Sequence, residues 1–468
     1  MSKCLMIQGT SSDAGKSLIT IALCRIYANR GYKVAPFKSQ NISLHSQTID
    51  NDKEIAIAQI IQAKAAKTKP SPDMNPVLLK PNGDFTSQVI IHGTQNGEKN
   101  FLKKNNNDNN NDNNINFNNN PKEIAKQAIE DSLNRLKEEY DLIIMEGAGS
   151  PAEINLRKGD LANMGVAEIA DANVLLVGDI DKGGVFASIA GTFTILDNND
   201  TSRIKGTIIN KFRGNPDLLT EGIEKLEKIV NTPNLGIIPY TKGLNLPAED
   251  SISKEEYFNN PNKYSINNTK NVNKDEKIVI GVLNLEKIAN LTEFDSLKIE
   301  NDVELILIDV VEGISLNNID ALIIPDTINS KEDMKILIEN KLGTIIKEAS
   351  SNIKIVGICG GYEILKNILN EELLDKSSDQ LSSEKLNKSE LDKLDKLDKN
   401  VFGTSKHGIF NNYEIKRDFL NELRSNKGLD EIDEDIYDKI IEDSIEKIAK
   451  VVKDNLDMNY IDDLILNN

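Results

Sequence analysis

Gly9-Thr10-Ser11-Ser12-Asp13-Ala14-Gly15-Lys16-Ser17 is the stretch on which the fold turns. The apolar residues 5–8 before it read as a buried strand, and residues 17–29 after it read as a helix. A glycine-rich turn in that context makes a phosphate loop. Its glycines let backbone N–H groups converge on phosphate oxygens at a helix N-terminus, Lys16 neutralises the β and γ phosphates, and the Ser17 hydroxyl can ligate Mg²⁺. Gly9, Thr10, Asp13, Ala14, Gly15, Lys16 and Ser17 are therefore the candidate nucleotide-binding residues. Glu146, in Met145-Glu146-Gly147-Ala148-Gly149, ends another predicted strand and can hold Mg²⁺ directly or through water. Glu54 and Asp13 are further metal candidates, each read first as a solvated loop acid.

Outward from the loop, short apolar runs bounded by Gly, Asn or Asp recur at 34–38, 142–145, 174–177, 206–210 and 235–239, with helical stretches at 55–66 and 122–139. This alternation predicts a parallel α/β sheet. A polar, Asn-rich stretch at 251–277 reads as a linker, after which strands are expected at 278–283, 305–308, 321–324 and 354–358. The expected organisation is a P-loop domain over 1–250, the linker, and a second α/β domain over 278–468. Two low-complexity segments interrupt it. Residues 103–120 are mostly Asn and read as a surface loop, while 375–400 repeat Lys, Asp, Leu and Ser, compatible with a solvated helix or with disorder. Around 436–452, Ile440, Ile441, Ile445, Ile448 and Val451 recur at helical spacing as a core-facing stripe.

Composition narrows the function. With 468 residues, 39% hydrophobic and 28% charged, the chain can bury two or three cores and is neither fibrous nor disordered. Its 74 acidic against 56 basic residues, a net charge of -18, argue against a broad grip on nucleic acid. Cys4, Cys24 and Cys359 are too few for a disulfide framework and point to a reducing compartment. No apolar run reaches about 18 residues and no signal pattern precedes the loop, so the expectation is a cytoplasmic protein with no membrane or nucleic acid partner.

A second chemical centre lies at Gly357-Ile358-Cys359-Gly360-Gly361, between a predicted strand and a predicted helix over 362–369. A thiol at such a tight turn is presented like the nucleophile of an elbow, and the helix N-terminus favours its thiolate. A thiol nucleophile needs a base, and the chain offers only His45, His92 and His407. His407, in the same predicted domain, is the candidate partner.

The five residues between Gly9 and Gly15, where the common loop has about four, resemble the loop of dethiobiotin synthetase-like P-loop proteins. The chain as a whole resembles the cobyric acid synthase family. The resemblance rests on Gln8 to Ser17, on Ala35-Pro36-Phe37-Lys38-Ser39-Gln40-Asn41, on Asp73-Met74-Asn75-Pro76-Val77-Leu78-Leu79-Lys80-Pro81 and on Glu146-Gly147-Ala148-Gly149-Ser150-Pro151-Ala152-Glu153-Ile154-Asn155-Leu156. It continues through Asp160-Leu161-Ala162-Asn163-Met164-Gly165, Asp179-Ile180-Asp181-Lys182-Gly183-Gly184-Val185-Phe186 and Asn210-Lys211-Phe212-Arg213-Gly214, so that most of residues 1–250 carry it. What it implies is a P-loop synthetase using ATP and Mg²⁺, joined to a class I glutamine amidotransferase-like domain. In that domain Cys359 and His407 would release ammonia from glutamine. The corrinoid substrate would be adenosylcobyrinic acid a,c-diamide, amidated at its b, d, e and g carboxylates. Lys38, Lys80, Arg157, Lys211 and Arg213 are candidates for carboxylate recognition or for structural ion pairs.

Two relatives of this pattern are weighed beside it. Cobyrinic acid a,c-diamide synthase shares both half-sites, but the 38–41 and 73–81 blocks resemble the b, d, e, g enzyme. Partition-type ATPases usually carry an extra Lys early in the loop, and Gly9 to Gly15 contains none. The second half departs from the family: Pro325-Asp326-Thr327 stands where a Pro-Gly turn is usual, Glu363 replaces a Gln, and the interval from Cys359 to His407 is short. No acid sits two residues after His407, a feature the family itself lacks. The departures make an ammonia-dependent synthetase with an inactive glutaminase half an alternative expectation.

Overall fold

A computed structural model describes residues 2–81, 86–100, 121–247, 254–259, 277–310, 316, 318–328, 330–371, 395–398, 400–434 and 436–466. The Asn-rich stretch 103–120 lies outside them. The chain divides into one unit of Met1–Ser43, Ile49–Leu246 and Ile440–Asn468, and another of Leu44–Thr48 and Pro247–Lys439.

The first unit is built on six parallel strands in the order Asn234–Pro239, Ile204–Phe212, Asn173–Asp179, Lys3–Gly9, Leu142–Glu146 and Val34–Phe37. Helices cover such sheets on both faces, so the central strands are apolar almost throughout rather than alternating. Met6, Phe37, Ile143, Met145 and Leu176 share one core with residues of the surrounding helices. Register sets the site. Ile7 lies opposite Glu146 and Gly9 opposite Val177, so the phosphate loop, Glu146 and Asp179 emerge at the carboxyl edge where α/β sheets bind ligands. A second sheet joins Gln40–Ile42, Val77–Pro81, Thr86–Ile91 and Thr94–Asn100. The helix expected at 55–66 spans Ile57–Ala65, preceded by the strand Lys53–Ala56.

The second unit holds five parallel strands, in the order Val303–Asp309, Ile278–Asn284, Ala321–Ile324, Lys354–Ile358 and Val401–Thr404, with Asp395–Asp398 antiparallel at the edge. Leu283, Leu322, Ile324, Ile355 and Leu365 pack in its core.

Three boundaries differ from the sequence reading. Residues 395–398, expected in a helix or disordered segment, form the edge strand, because the neighbouring Val401–Thr404 offers a free row of backbone groups; 375–394 lie outside the described residues. Within the expected linker 251–277, Lys254–Asn259 is a helix whose buried Tyr257 donates its hydroxyl to Asp295 at 2.7 Å. The third difference is the largest. Residues 440–468, expected in the second domain, belong to the first unit. The stripe of the helix Ile436–Asn455 is buried at Ile440, Ile441, Ile445, Ile448 and Val452, one residue on from the expected Val451. Arg25, on the phosphate-loop helix Lys16–Asn29, reaches Glu446 at 2.7 Å and Glu442 at 3.0 Å from 1% exposure. Tyr27 donates to Asp462 at 2.8 Å and Asp457 N–H to Leu235 at 2.7 Å. Among the described residues, no helix is long and apolar enough to cross a membrane.

Arg25 also caps the helix Ile57–Ala65 by donating to the Ala65 and Lys64 carbonyls at 2.9 and 3.1 Å. Arg25→Met leaves those acceptors unpaired and unclamps the C-terminal helices. We expect urea unfolding to show a loss of about 2–3 kcal/mol.

Candidate active site

The phosphate loop is shaped by its own backbone. Thr10 N–H extends the strand by bonding the Val177 carbonyl at 2.9 Å, and Asp13 and Gly15 then take left-handed conformations at φ 58° and 98°. Only glycine suits position 15, because a Cβ there would stand 2.0 Å from Asn210 Nδ2. Asn210 donates to the Ala14 carbonyl at 2.9 Å and pins the loop to the strand Ile204–Phe212, two strands away from Lys3–Gly9. Lys16 is buried, and its ammonium reaches the Ser11 and Gly149 carbonyls, each at 3.0 Å.

Ser17 and Glu146 are brought together: the hydroxyl donates to Oε1 at 2.9 Å. Lys38 Nζ meets the same oxygen at 3.0 Å, and Gln62 donates to Oε2. A hydroxyl and a carboxylate are hard oxygen donors, and a nucleotide-site Mg²⁺ takes one or two protein ligands with the rest from phosphates and water, so this pair fits that ion. Among the described residues no group of three His, Cys, Asp or Glu side chains could hold a metal by itself. Glu54 is engaged elsewhere, by Lys80 at 2.7 Å. Asp13 faces Lys182 at 3.6 Å, and its carbonyl accepts from Lys211.

The candidate carboxylate-binding cations are all in ion pairs. Besides Lys38 and Lys80, Arg157 holds Asp200 through two contacts of 2.7 and 2.8 Å, Lys211 holds Asp179 at 2.9 Å and Arg213 holds Asp181 at 2.8 Å. Lys38 and Gln62 as partners of Glu146, and Asn210 as a loop clamp, carry no local sequence signal that names those roles.

In the second unit Cys359 sits at φ 49°, a left-handed conformation that costs a non-glycine residue energy and turns its side chain outward between strand and helix. The neighbouring Gly361 has to lack a side chain, since a Cβ would lie 2.1 Å from the Ile324 carbonyl. Cys359 N–H bonds Thr404 at 2.7 Å, and the thiol donates to the Ser405 carbonyl at 3.4 Å. Burial pushes the thiol above its ordinary value, while the charge and hydrogen bond of His407 pull it back. His407 is thus brought to Cys359. His45 lies in the second unit, on the segment Leu44–Thr48 that also bonds His407, and His92 lies in the first, beside Ser132 at 3.2 Å.

Two acids flank the imidazole. Glu293, buried in the turn Leu291–Phe294, meets His407 Nδ1 at 2.9 Å; Asp326 lies 3.7 Å from Nε2. Asp326 also accepts from Gly360 N–H at 2.8 Å. That N–H belongs to the residue after Cys359, the position that supplies an oxyanion donor in nucleophile elbows. Sequence reading noticed Asp326 and missed Glu293, which lies 114 residues from its partner.

The CobQ/CobB/MinD/ParA nucleotide binding domain family matches residues 5–253, and the CobB/CobQ-like glutamine amidotransferase domain family matches residues 279–387. With the two sites above, these matches define a nucleotide-binding enzyme that carries a glutamine amidotransferase domain. A probable cobyric acid synthase of Methanothermobacter thermautotrophicus is 41% identical over 99% of this chain and 99% of its own length. One of Methanosphaera stadtmanae is 40% identical over the same shares, and a cobyric acid synthase of Clostridium botulinum is 38% identical over 98% and 99%. The chain belongs to the cobyric acid synthase family, whose members are amidotransferase ligases. A likeness running through the amidotransferase domain sets it apart from partition-type ATPases.

Burial pushes Cys4 up to about 11 and Cys24 higher still, and it raises Cys359 too, though there the charge and hydrogen bond of His407 oppose it. Iodoacetamide labelling of Cys359 should climb with pH through and beyond the ordinary thiol value of 9.0. His407→Ala removes the groups that favour the thiolate, so labelling at pH 8 should slow by about tenfold, measured by peptide mass spectrometry.

Proposed function

We propose that this chain amidates the b, d, e and g carboxylates of adenosylcobyrinic acid a,c-diamide, giving cobyric acid, with ATP as the activating nucleotide and glutamine as the nitrogen source. The observation that carries the reading is that one chain builds both half-sites, a phosphate loop with Ser17 on Glu146 and an elbow cysteine served by His407. The full-length likeness to cobyric acid synthases supports the choice of substrate.

A carboxylate is a poor acyl donor because its leaving group is oxide, and phosphorylation supplies a better one. Lys16 and the loop N–H groups would hold and neutralise the phosphates. Ser17 and Glu146 would hold Mg²⁺, which when bound screens phosphate charge. Lys38 holds the Glu146 carboxylate in place beside Ser17.

On the glutaminase side, the Cys359 sulfur would attack the glutamine side-chain amide. The carbon–nitrogen bond breaks as His407 passes the thiol proton to the departing ammonia, leaving a glutamyl thioester. His407 then takes a proton from water, hydroxide adds to the thioester, and glutamate leaves with the thiol restored. Ammonia displaces phosphate at the activated carboxylate.

Asp326 favours a second reading. With its carboxylate on Gly360 N–H, an oxyanion donor is already taken and a negative charge stands where another would develop, which suits a synthetase fed by free ammonia. One experiment separates the two. Purified protein receives ATP, Mg²⁺ and the a,c-diamide with either glutamine or ammonium chloride, and added amides are counted by mass spectrometry. The expected result is product from both sources, with Cys359→Ser abolishing only the glutamine reaction. Product from ammonium alone would establish the second reading, and none from either would overturn the corrinoid substrate.

A further inference from the structure

We infer that Glu293 is the positioning residue that fixes the tautomer of His407 for glutamine hydrolysis, a role supplied from a distant turn rather than from the residues following the histidine. The inference rests on the glutaminase reading of Cys359 and His407 given above.

A histidine that relays protons must keep one nitrogen committed so that the other is free for the reacting atoms. His407 Nδ1 lies 2.9 Å from Glu293 Oε1. A carboxylate accepts and cannot donate when ionised, so this contact requires the proton on Nδ1 and leaves the Nε2 lone pair available. Glu293 is itself held on every side. Gly408 N–H donates to its Oε2 at 2.8 Å, and Asn290 Nδ2 donates to Oε1 at 3.0 Å. At 1% exposure, a carboxylate held by these donors is a fixed acceptor rather than a surface acid in passing contact.

The histidine's backbone is fixed as firmly as its ring. Thr48 donates its N–H to the His407 carbonyl at 3.3 Å and accepts the His407 N–H on its hydroxyl at 3.2 Å, while Asn290 also donates to the Ser46 carbonyl at 3.0 Å. Glu293 therefore clamps the ring and the next peptide of a residue whose main chain is already anchored.

Asp326 cannot take this role. It lies on the Nε2 side, at 3.7 Å, and its other oxygen is committed to Gly360 N–H. Titratable groups facing the imidazole include Glu293 at Nδ1 and Cys359 with Asp326 on the opposite side. When His407 carries the extra proton, Glu293 faces the imidazolium as its buried counter-charge.

The test uses the full chain, with glutamate release from glutamine assayed without corrinoid so that failure of the corrinoid reading does not obscure it. Glu293→Gln keeps the shape and removes the charge. Glutamine-dependent kcat is expected to fall at least about 100-fold with KM changed less than about twofold, and ammonium-dependent amidation is expected to stay at the wild-type level. Glu293→Asp should restore part of the rate.

A second readout does not need activity. The chain has three histidines, so ¹⁵N-histidine labelling resolves each ring, with His407→Ala identifying its signals. Wild type should show His407 as the Nδ1–H tautomer, and Glu293→Gln should shift it toward Nε2–H. An Nε2–H tautomer in wild type, an unchanged tautomer in Glu293→Gln, or full glutaminase activity in that variant would overturn the inference. A wild-type chain that releases no glutamate would instead overturn the glutaminase reading, and the tautomer measurement would still decide whether Glu293 orients the ring.

Discussion

A carboxylate buried to 1% exposure at the end of a central strand organises the nucleotide half of this protein. Glu146 would be costly in that position without partners, because desolvating a charge outweighs most single contacts. Its partners come from three separate places: Ser17 from the phosphate loop, Lys38 from beyond the edge strand and Gln62 from the helix Ile57–Ala65. The compensation for one charge thus holds the loop, the sheet edge and a covering helix in register with one another. One of the residues that make burial tolerable, Ser17, belongs to the phosphate loop itself.

The second half reaches its geometry by a different device. Cys359 occupies a backbone conformation that non-glycine residues avoid, and the surrounding contacts maintain it: Thr404 holds its N–H, and Ile324 leaves room only for glycine two residues on. Around that turn the charges are arranged in sequence, with Glu293, His407, Cys359 and Asp326 each touching or facing the next. Asp326 is the unusual member. Its carboxylate accepts the Gly360 N–H, the backbone donor of the residue after Cys359.

Much of this was legible in the order of residues. The phosphate loop and the Cys359 turn stand out because glycines, a nucleophile or lysine, and flanking apolar runs all coincide within a few positions. The strands were readable for the same reason: buried parallel strands are short apolar runs with clear borders. What stayed hidden depends on pairing across distance. Nothing near Glu293 marks it as the partner of a histidine 114 residues away, and nothing near Gln62 marks it as a partner of Glu146. The stripe at Ile440 to Ile448 announced that a face would be buried, but periodicity does not say against what. Its assignment to the second domain followed chain order, and Arg25 with Leu235 overrode that order.

The return of residues 440–468 to the first unit bears on how the protein is made. Synthesis is directional, and domains ordinarily fold as they emerge. Here the phosphate-loop helix must wait for Glu446 and Asp462, which follow the whole of Pro247–Lys439. At about 5–20 residues per second, the nucleotide-binding unit stays incomplete for about 10–40 s while the glutaminase unit is translated. The unit that begins first is thus the one whose last contacts are synthesised last.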